Sequence, residues 1–166
     1  MSLRDAGRLL RGLGSSGAVT LTTCGQIATV RLQNPEKRNA VTPSMMIQYS
    51  EAVQKLERAC ADGGDETTVV VLRGEGRFFC SGADLSAASK HLGTKEAGAA
   101  MCLFMSHWTT RFAQLPLISV AAIEGGAVGG GTELASACDH RVMASDAVWK
   151  MVHVTHGLSP GWGGGV

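Results

Sequence analysis

One stretch of the chain, residues 119–139, constrains the fold more than any other. It begins with an apolar run at 120–123, continues with five glycines between positions 125 and 131, and then shows a helical pattern that contains the acid Glu133. This order predicts a buried strand, tight turns and the start of a helix. Glycine lets a ligand approach the backbone closely, and the first N–H groups of a helix have no partner inside it. The stretch therefore predicts an N–H cradle for a developing negative charge, with a carboxylate nearby.

Two other interpretations of this glycine-rich stretch stay open. The first is a loop that binds nucleotide phosphates, either a P-loop or a dinucleotide-binding loop. The P-loop pattern ends in Gly-Lys-Ser/Thr, and there is no lysine between Lys95 and Lys150. A dinucleotide-binding loop would need an acid about 20 residues further on, where Asp146 follows only a short turn. The other interpretation is a glycine-rich connector that carries no chemistry.

Buried strands alternate with helical patterns along the rest of the chain. Strands are predicted at 26–32, 67–73, 117–123 and 140–143, and helices at 43–62, 94–115 and from the glycines to about 138. Thr42 and Pro43 supply the N-cap and the first residue of the first of these helices. Alternating helices and buried strands are typical of the α/β class.

Composition narrows the functional class. The chain has 166 residues, enough for one domain with a core, a net charge of +1, and only 17% charged residues. We therefore expect neither a nucleic-acid nor a membrane partner, and the longest apolar runs are too short to span a bilayer.

The five cysteines include no Cys-x-x-Cys pair. They predict reduced thiols in an intracellular compartment, with neither a disulfide framework nor a zinc or other metal site.

The first 17 residues are predicted to form a flexible tail, followed by one domain over 18–166. The tail contains Arg4, Arg8 and Arg11 against a single acid, Asp5, among serines and leucines. That composition faintly resembles a mitochondrial presequence, although a short disordered tail explains it equally well. We expect a cytoplasmic location, with the mitochondrion as the alternative.

A second candidate cradle lies at residues 78–85, after a buried strand and a glycine loop. Here, too, a backbone N–H can face a cavity. Two separated N–H donors suit the enolate of a thioester, because the negative charge of the enolate lies on one oxygen. Asp84 is first interpreted as the N-cap of the turn that follows.

Four motifs resemble the enoyl-CoA hydratase/isomerase (crotonase) family, in the same order and at the same spacing. They lie at 34–40, 79–85, 116–121 and 129–134, and the resemblance covers roughly residues 17–165. It implies a crotonase-like spiral of ββα units that binds acyl-CoA thioesters and uses neither a metal nor another cofactor.

The resemblance also implies the roles of individual residues. The backbone N–H groups of Ala83 and Gly130 would form an oxyanion hole. The residues expected along the CoA moiety and the substrate are Lys37, Arg38, Ala40, Ser81, Gly82, Asp84, Leu85 and Trp162.

The catalytic residues implied by the resemblance are Glu133 and His153. Hydratases of the family use two glutamates; Glu133 matches one, but His153 occupies the position of the other. Further similarity at 101–105, 110–112 and 115–121 is to the ethylmalonyl-CoA decarboxylase subfamily. Loss of CO2 from a malonyl-type thioester leaves an enolate that the two N–H donors would stabilise, and either Glu133 or His153 would protonate it. Trp162 would contribute an apolar wall that desolvates the departing carboxylate.

Two alternatives to this decarboxylase remain. One is an enoyl-CoA hydratase/isomerase, and the other is a catalytically inactive chain that binds CoA or partner subunits. Members of the family continue beyond position 164 with helices that cover the site and build a homotrimer. The resemblance therefore predicts that this chain lacks the C-terminal helical region and is incomplete, which leaves the trimer in doubt.

Overall fold

The computed structural model describes residues 1–13, 16–62, 66–84 and 94–164. In chain order, the helices and strands are α1 (Leu3–Gly12), β1 (Ala18–Cys24), β2 (Ile27–Gln33), α2 (Pro43–Asp62), β3 (Val69–Gly74), α3 (Lys95–Ala113), β4 (Ile118–Ile123), β5 (Gly126–Val128), α4 (Gly130–Ser136), β6 (His140–Met143) and β7 (Val148–Lys150). Short 3₁₀ helices lie at Pro35–Lys37 and Val154–His156. The predicted α/β class is confirmed.

The strands form a main sheet in the order β1-β2-β3-β4-β6 and a small sheet of β5 and β7. β1 and β2 form an antiparallel hairpin, whereas β2, β3, β4 and β6 run parallel to their neighbours. The register aligns Val30 with Leu72, Leu72 with Ala121, and Ala121 with Arg141. Consecutive parallel strands need long crossovers, and α2 and α3 occupy two of them.

The core lies between the main sheet and the helices. Every second residue of β2 is fully buried, including Val30 and Leu32. The predicted apolar face of α2 is confirmed at Met45, Tyr49 and Val53, which are almost completely excluded from solvent. Thr42 Oγ1 accepts the N–H of Met45, as expected of an N-cap. No helix of the described residues is long and apolar enough to cross a membrane.

The prediction of a flexible tail is wrong for Leu3–Gly12, which form helix α1. Ser2 and Asp5 make a reciprocal capping box at its N-terminus. Ala6 and Leu10 are buried against the rest of the molecule, and α1 packs on α2 and α3. The prediction of a tail was based on the basic residues of this segment. Its apolar residues, however, recur at helical spacing and pack the helix against α2 and α3. The boundary at 17/18 itself stays a prediction.

Three strands were missed by the sequence interpretation. β1 is an edge strand with mostly exposed residues, so it lacks the apolar alternation that marks a half-buried strand. β5 and β7 have three residues each, too few for a period to be recognised. Their pairing nevertheless matters, because β5 leads directly into α4 and the candidate site.

Parallel strands bring the two predicted cradles to one edge of the sheet. β3 and β4 are neighbours, so the segments that leave their carboxyl ends lie side by side. Backbone hydrogen bonds join them: Phe79 N–H donates to Glu124 O at 2.8 Å, and Val128 N–H donates to Cys80 O at 2.9 Å. We call residues 78–84 together with 124–131 the cradle.

Candidate active site

A cavity of ≈ 670 Å³ opens beside the cradle. Most of the predicted site residues line it: Lys37, Ala40, Ser81, Gly82, Ala83, Asp84, Gly130, Glu133, His153 and Trp162. These residues come from parts of the sequence that are far apart, so the fold brings the predicted set together.

Two backbone N–H groups of the cradle are available to a ligand. Ala83 lies between two hydrogen bonds to Val41, since Val41 N–H donates to Gly82 O and Asp84 N–H donates to Val41 O. In an extended segment, the N–H of Ala83 points away from that partner. Gly130 begins helix α4, where the first N–H groups lack partners inside the helix. Within the described residues, neither N–H donates a hydrogen bond.

Glycine is required where the two halves of the cradle meet. Gly82 has a φ of +91°, and a Cβ there would lie 3.0 Å from the backbone nitrogen of Gly130. A Cβ on Gly130 would lie 2.6 Å from the ring of Trp162. The wall of the cavity is therefore built from backbone and a tryptophan ring in close contact.

Glu133 has the most extensively hydrogen-bonded side chain of the site. It is 1% exposed. Its Oε2 accepts the N–H of Trp162 at 2.6 Å and the N–H of Gly164 at 3.3 Å. Its Oε1 lies 3.3 Å from the N–H of Gly161 and 3.0 Å from Nε2 of His153. Helix α4 thus presents a buried carboxylate to which the segment 161–164 is attached.

His153 lies in the segment that precedes the second 3₁₀ helix. Its side chain is 10% exposed, and the contact of Nε2 with Glu133 brings the two predicted catalytic groups together. Nδ1 is buried and has no hydrogen-bond partner among the described residues. The arrangement is a carboxylate–imidazole pair with one ring nitrogen unused.

Lys37 and Asp84 form an ion pair at the rim of the cavity, with Nζ and Oδ2 2.8 Å apart. The Asp84 side chain is 5% exposed, whereas that of Lys37 is 46% exposed. The hydroxyl of Ser81 donates to Lys37 O at 3.1 Å, and the N–H of Ser81 donates to Arg38 O at 3.0 Å. Residues 34–42, which we call the first loop, are therefore fastened to the cradle. The turn that Asp84 was predicted to cap lies outside the described residues.

Two predicted site residues do not reach the cavity in the described structure. Arg38 adopts a φ of +52°, and its guanidinium lies 5.7 Å from the centre of the Phe78 ring. It does not line the cavity, so its contact with CoA stays a prediction. Leu85 lies outside the described residues.

Helix α3 supplies a wall that the sequence interpretation missed. Its cavity residues are Lys95, Gly98, Ala99, Met101 and Cys102. The sequence signal that could have identified this wall is the helical spacing of residues 95, 98, 99 and 102. The stripe containing Met101 had been assigned to the core.

Burial, and to a lesser degree the charge of Glu133, raise the pKa of the Cys102 thiol. Other cavity residues that were not among the predicted site residues are Gly129, Val152, Leu158, Ser159 and Gly161.

The described residues contain no group of three or more His, Cys, Asp or Glu side chains placed to hold a metal ion. The described site offers backbone N–H donors, the carboxylate–imidazole pair of Glu133 and His153, and the cations Lys37 and Lys95.

The family model of enoyl-CoA hydratase/isomerase matches residues 22–166. The chain belongs to this family. Curated relatives in the family include the ethylmalonyl-CoA decarboxylases of Mus musculus and Homo sapiens, each 44% identical over 138 residues. That match covers 83% of this chain but only 41% of the mouse and 43% of the human protein. The chain thus spans less than half the length of these relatives.

Solved structures of the family share the fold. An enoyl-CoA hydratase from Polaromonas sp. JS666 superposes with a TM-score of 0.78 at 36% identity, over 87% of this chain and 55% of that chain. An enoyl-CoA hydratase from Bacillus anthracis gives a TM-score of 0.78 at 26% identity, over 87% and 54% of the two chains. The predicted crotonase-like architecture is confirmed for the part of the chain that superposes.

Proposed function

We propose that the chain carries the site of an acyl-CoA decarboxylase that acts on a malonyl-type thioester, either ethylmalonyl-CoA or methylmalonyl-CoA. One observation carries the proposal: two unpartnered backbone N–H groups, of Ala83 and Gly130, lie in the cavity wall beside a buried Glu133–His153 pair. The names of the 44%-identical relatives support the choice of substrate.

The two N–H groups form the proposed oxyanion hole. The thioester carbonyl oxygen accepts hydrogen bonds from Ala83 and Gly130. When the bond between the α-carbon and the carboxylate breaks, its electron pair moves into the thioester and the charge develops on that oxygen. Donors held in place before the reaction stabilise this charge without reorganisation. Backbone N–H groups fastened by the cradle's hydrogen bonds meet this requirement.

The apolar part of the cavity favours loss of CO2. Met101, Val152, Leu158 and Trp162 line it, and none of them offers a charge to the substrate carboxylate. A carboxylate deprived of water converts to neutral CO2 more readily, because the product needs no hydration. This surface suits the desolvation that was expected of Trp162.

The Glu133–His153 pair supplies the last proton. The enolate α-carbon takes one proton to give butyryl-CoA or propionyl-CoA, so each turnover consumes one proton from solvent through this pair. Lys37, Ala40, Ser81 and Gly82 lie at the cavity wall and would contact the CoA moiety. Lys95, on helix α3, adds a further cation for its phosphates.

Mass spectrometry of the purified chain with ethylmalonyl-CoA, methylmalonyl-CoA and crotonyl-CoA in one reaction tests the proposal. Butyryl-CoA and propionyl-CoA are the expected products. His140→Ala, which alters an exposed residue of β6, is a matched control and keeps the wild-type rate. Hydroxybutyryl-CoA would instead identify a hydratase, the activity named for the solved structures. No product would favour an inactive chain that binds CoA or partner subunits.

Location and assembly are further proposals. We propose a cytoplasmic protein, with the mitochondrion as the alternative, and fractionation of cells that express a tagged chain distinguishes the two. The resemblance to the family favours a homotrimer, and analytical ultracentrifugation measures it. Exposed apolar side chains at Val142, Val148 and Val154 are available for such contacts.

A further inference from the structure

A second groove lies outside the candidate active site, where helices α1, α2 and α3 meet, and its volume is ≈ 310 Å³. Among the described residues, it shares no lining residue with the active-site cavity, because the two open on different faces of α3. Cys102 lines the cavity, whereas Phe104 and Trp108 line the groove. We call this space the α1 groove; the residues that define it are Arg4, Arg8 and Arg11 of α1, Ile47 of α2, and Phe104 and Trp108 of α3.

The α1 side of the groove is strongly basic. Arg4, Arg8 and Arg11 recur at helical spacing and all line the groove. Arg11 is paired with Glu51, with Nη1 and Oε1 3.1 Å apart, whereas neither Arg4 nor Arg8 has an ion-pair partner among the described residues. Asp5 interacts with the charge of Arg8 at longer range, but its carboxylate accepts the capping hydrogen bond of Ser2. No described Asp or Glu lines the groove, so two positive charges are left for a ligand.

The α3 side of the groove contains a hydrogen-bond donor that no described residue uses. Trp108 is 6% exposed, and its Nε1 is buried without a partner among the described residues. The nearby guanidinium of Arg111 lies 4.8 Å from the centre of the indole ring, but it can only donate and so cannot accept this N–H. Buried polar atoms are nearly always hydrogen-bonded, so the exception needs an explanation such as a bound ligand. An oxygen of a ligand in the groove would supply the missing acceptor.

The remaining lining limits the size and the character of the ligand. Leu3, Ile47 and Phe104 are apolar and lie beside the basic residues. Helix α1 approaches α3 closely here, because a Cβ on Gly7 would lie 3.2 Å from the Phe104 ring. A volume of ≈ 310 Å³ is at the small end of the range for ligand pockets. The groove therefore suits a small molecule that combines an anionic group with an apolar body.

We propose that the α1 groove binds a phosphate monoester with a small apolar body. Such a phosphate has a charge close to −2 at neutral pH and three acceptor oxygens, which matches the two unpaired guanidinium groups of Arg4 and Arg8 together with the indole N–H of Trp108. Guanidinium groups donate paired hydrogen bonds to phosphate oxygens. The apolar body contacts Ile47 and Phe104. A carboxylate has one charge and two oxygens and would leave one arginine unmatched. This inference does not rest on the proposed function.

Isothermal titration calorimetry of the purified chain with phenyl phosphate tests the proposal. One site is expected, with an affinity at least about tenfold higher than that of benzoate, which has the same ring but a single charge. Arg4→Gln and Arg8→Gln each remove one guanidinium and should weaken binding about tenfold. Arg58→Gln is the matched control, because Arg58 is an exposed arginine of α2 that does not line the groove, and this variant keeps the wild-type affinity.

Nuclear magnetic resonance follows the indole N–H of Trp108 directly. The chain has three tryptophans and therefore three indole signals, and Trp108→Phe identifies one of them by removing it. That signal is expected to move downfield as phenyl phosphate binds, while the signals of Trp149 and Trp162 stay in place. Trp108→Phe keeps an aromatic ring in the groove but loses one donor, so it should weaken binding about fivefold. Circular dichroism establishes that each variant is folded.

A substitution in the cavity shows which of the two sites holds the phosphate. Lys95 lines the active-site cavity, where it offers a cation to the same probe. Lys95→Gln is expected to leave the binding of phenyl phosphate unchanged. Binding that is lost in Lys95→Gln but kept in Arg8→Gln would place the phosphate in the cavity and overturn the proposal.

Each remaining outcome also decides the question. If phenyl phosphate does not bind, or if both arginine variants bind it as the wild-type chain does, the α1 groove is not its site. Benzoate that binds as tightly as phenyl phosphate overturns the choice of a phosphate. Binding of the chain to phosphatidylserine vesicles without binding of phenyl phosphate would show that the arginines meet a lipid surface instead. No thioester takes part in these measurements, so their outcome is independent of the decarboxylase activity.

Discussion

The two walls of the cavity are held in different ways. The cradle is joined to itself and to the first loop by several backbone hydrogen bonds, including Phe79 N–H to Glu124 O and Val41 N–H to Gly82 O. The opposite wall, residues 152–164, is held through a side chain, because the N–H groups of 161, 162 and 164 all donate to Glu133. The comparison teaches that the N–H groups of the cradle are held by many backbone contacts, whereas residues 161–164 of the opposite wall are held by one carboxylate.

Substitution of a buried glycine in the cradle is expected to have the largest effect. A Cβ on Gly131 would lie 2.3 Å from the backbone oxygen of Cys80, which cannot yield without breaking the bond to Val128. Gly131→Ala should lower the free energy of unfolding by about 3 kcal/mol, measured by urea denaturation. Gly98→Ala is the control, because nothing lies within 4 Å of its Cβ position, and helix propensity predicts a gain of about 0.5 kcal/mol. Equal effects of the two changes would contradict the tight cradle.

Removal of the carboxylate should loosen only the opposite wall. Glu133→Ala leaves three N–H groups of 161–164 without their acceptor, which corresponds to about 2 kcal/mol of local stability, or ~30-fold faster amide exchange. Hydrogen exchange followed by mass spectrometry measures it, with peptides from the cradle unchanged. Glu124→Ala removes an exposed carboxylate instead and should leave the 161–164 amides protected. Faster exchange across both walls after Glu133→Ala would show that they are not held independently.

The ion pair at the rim offers a smaller and more local test of the cradle. Lys37 and Asp84 lie 2.8 Å apart, and only Asp84 is deeply buried. Lys37→Met should therefore cost about 1 kcal/mol of stability, because the exposed lysine is partly screened by solvent. A double-mutant cycle with Asp84→Asn isolates the coupling between the two side chains. A coupling near zero would mean that the remaining hydrogen bonds, such as Ser81 Oγ to Lys37 O and Val41 N–H to Gly82 O, fasten the loop without the ion pair.

The smallest expected effect concerns a second carboxylate clamp, at the start of β6. The hydroxyl and N–H of Ser119 donate to Asp139 at 2.6 and 2.8 Å and lower the pKa of Asp139 below its ordinary value of 3.8. A lowered folded-state pKa adds stability above pH 3.8, and this contribution is lost as the pH falls through the folded-state pKa. Because Asp139 is exposed, solvent screens its interactions, and we expect them to add only about 0.5 kcal/mol to the free energy of unfolding. Asp139→Asn should reduce the loss of stability below pH 4 by about that amount in urea titrations. Ser119→Ala removes the hydroxyl donor but keeps the backbone N–H donor, so it should reduce the loss by a smaller amount.

Local signals explain which elements could be predicted. The start of α2 at Pro43, with Thr42 as its N-cap, depends on neighbouring residues only. The same holds for the buried strand of β4 and the glycines that lead into α4. Helix α1 was wrongly assigned to a tail because its few apolar residues become informative only when a surface exists for Ala6 and Leu10 to cover.

The sequence by itself determined the α/β class, the two glycine-rich segments that offer N–H groups, and the presence of Glu133 near one of them. Periodicity, capping and turn chemistry act over a few residues, so these features can be recognised from the order of residues alone. Only the tertiary structure decided which partners they meet. Asp84 pairs with Lys37 across 47 positions, Glu133 binds the N–H of Trp162 across 29, and Arg38 lies over Phe78 rather than in the cavity. Such contacts depend on how the elements pack, because packing sets the distance and burial of side chains that the sequence separates.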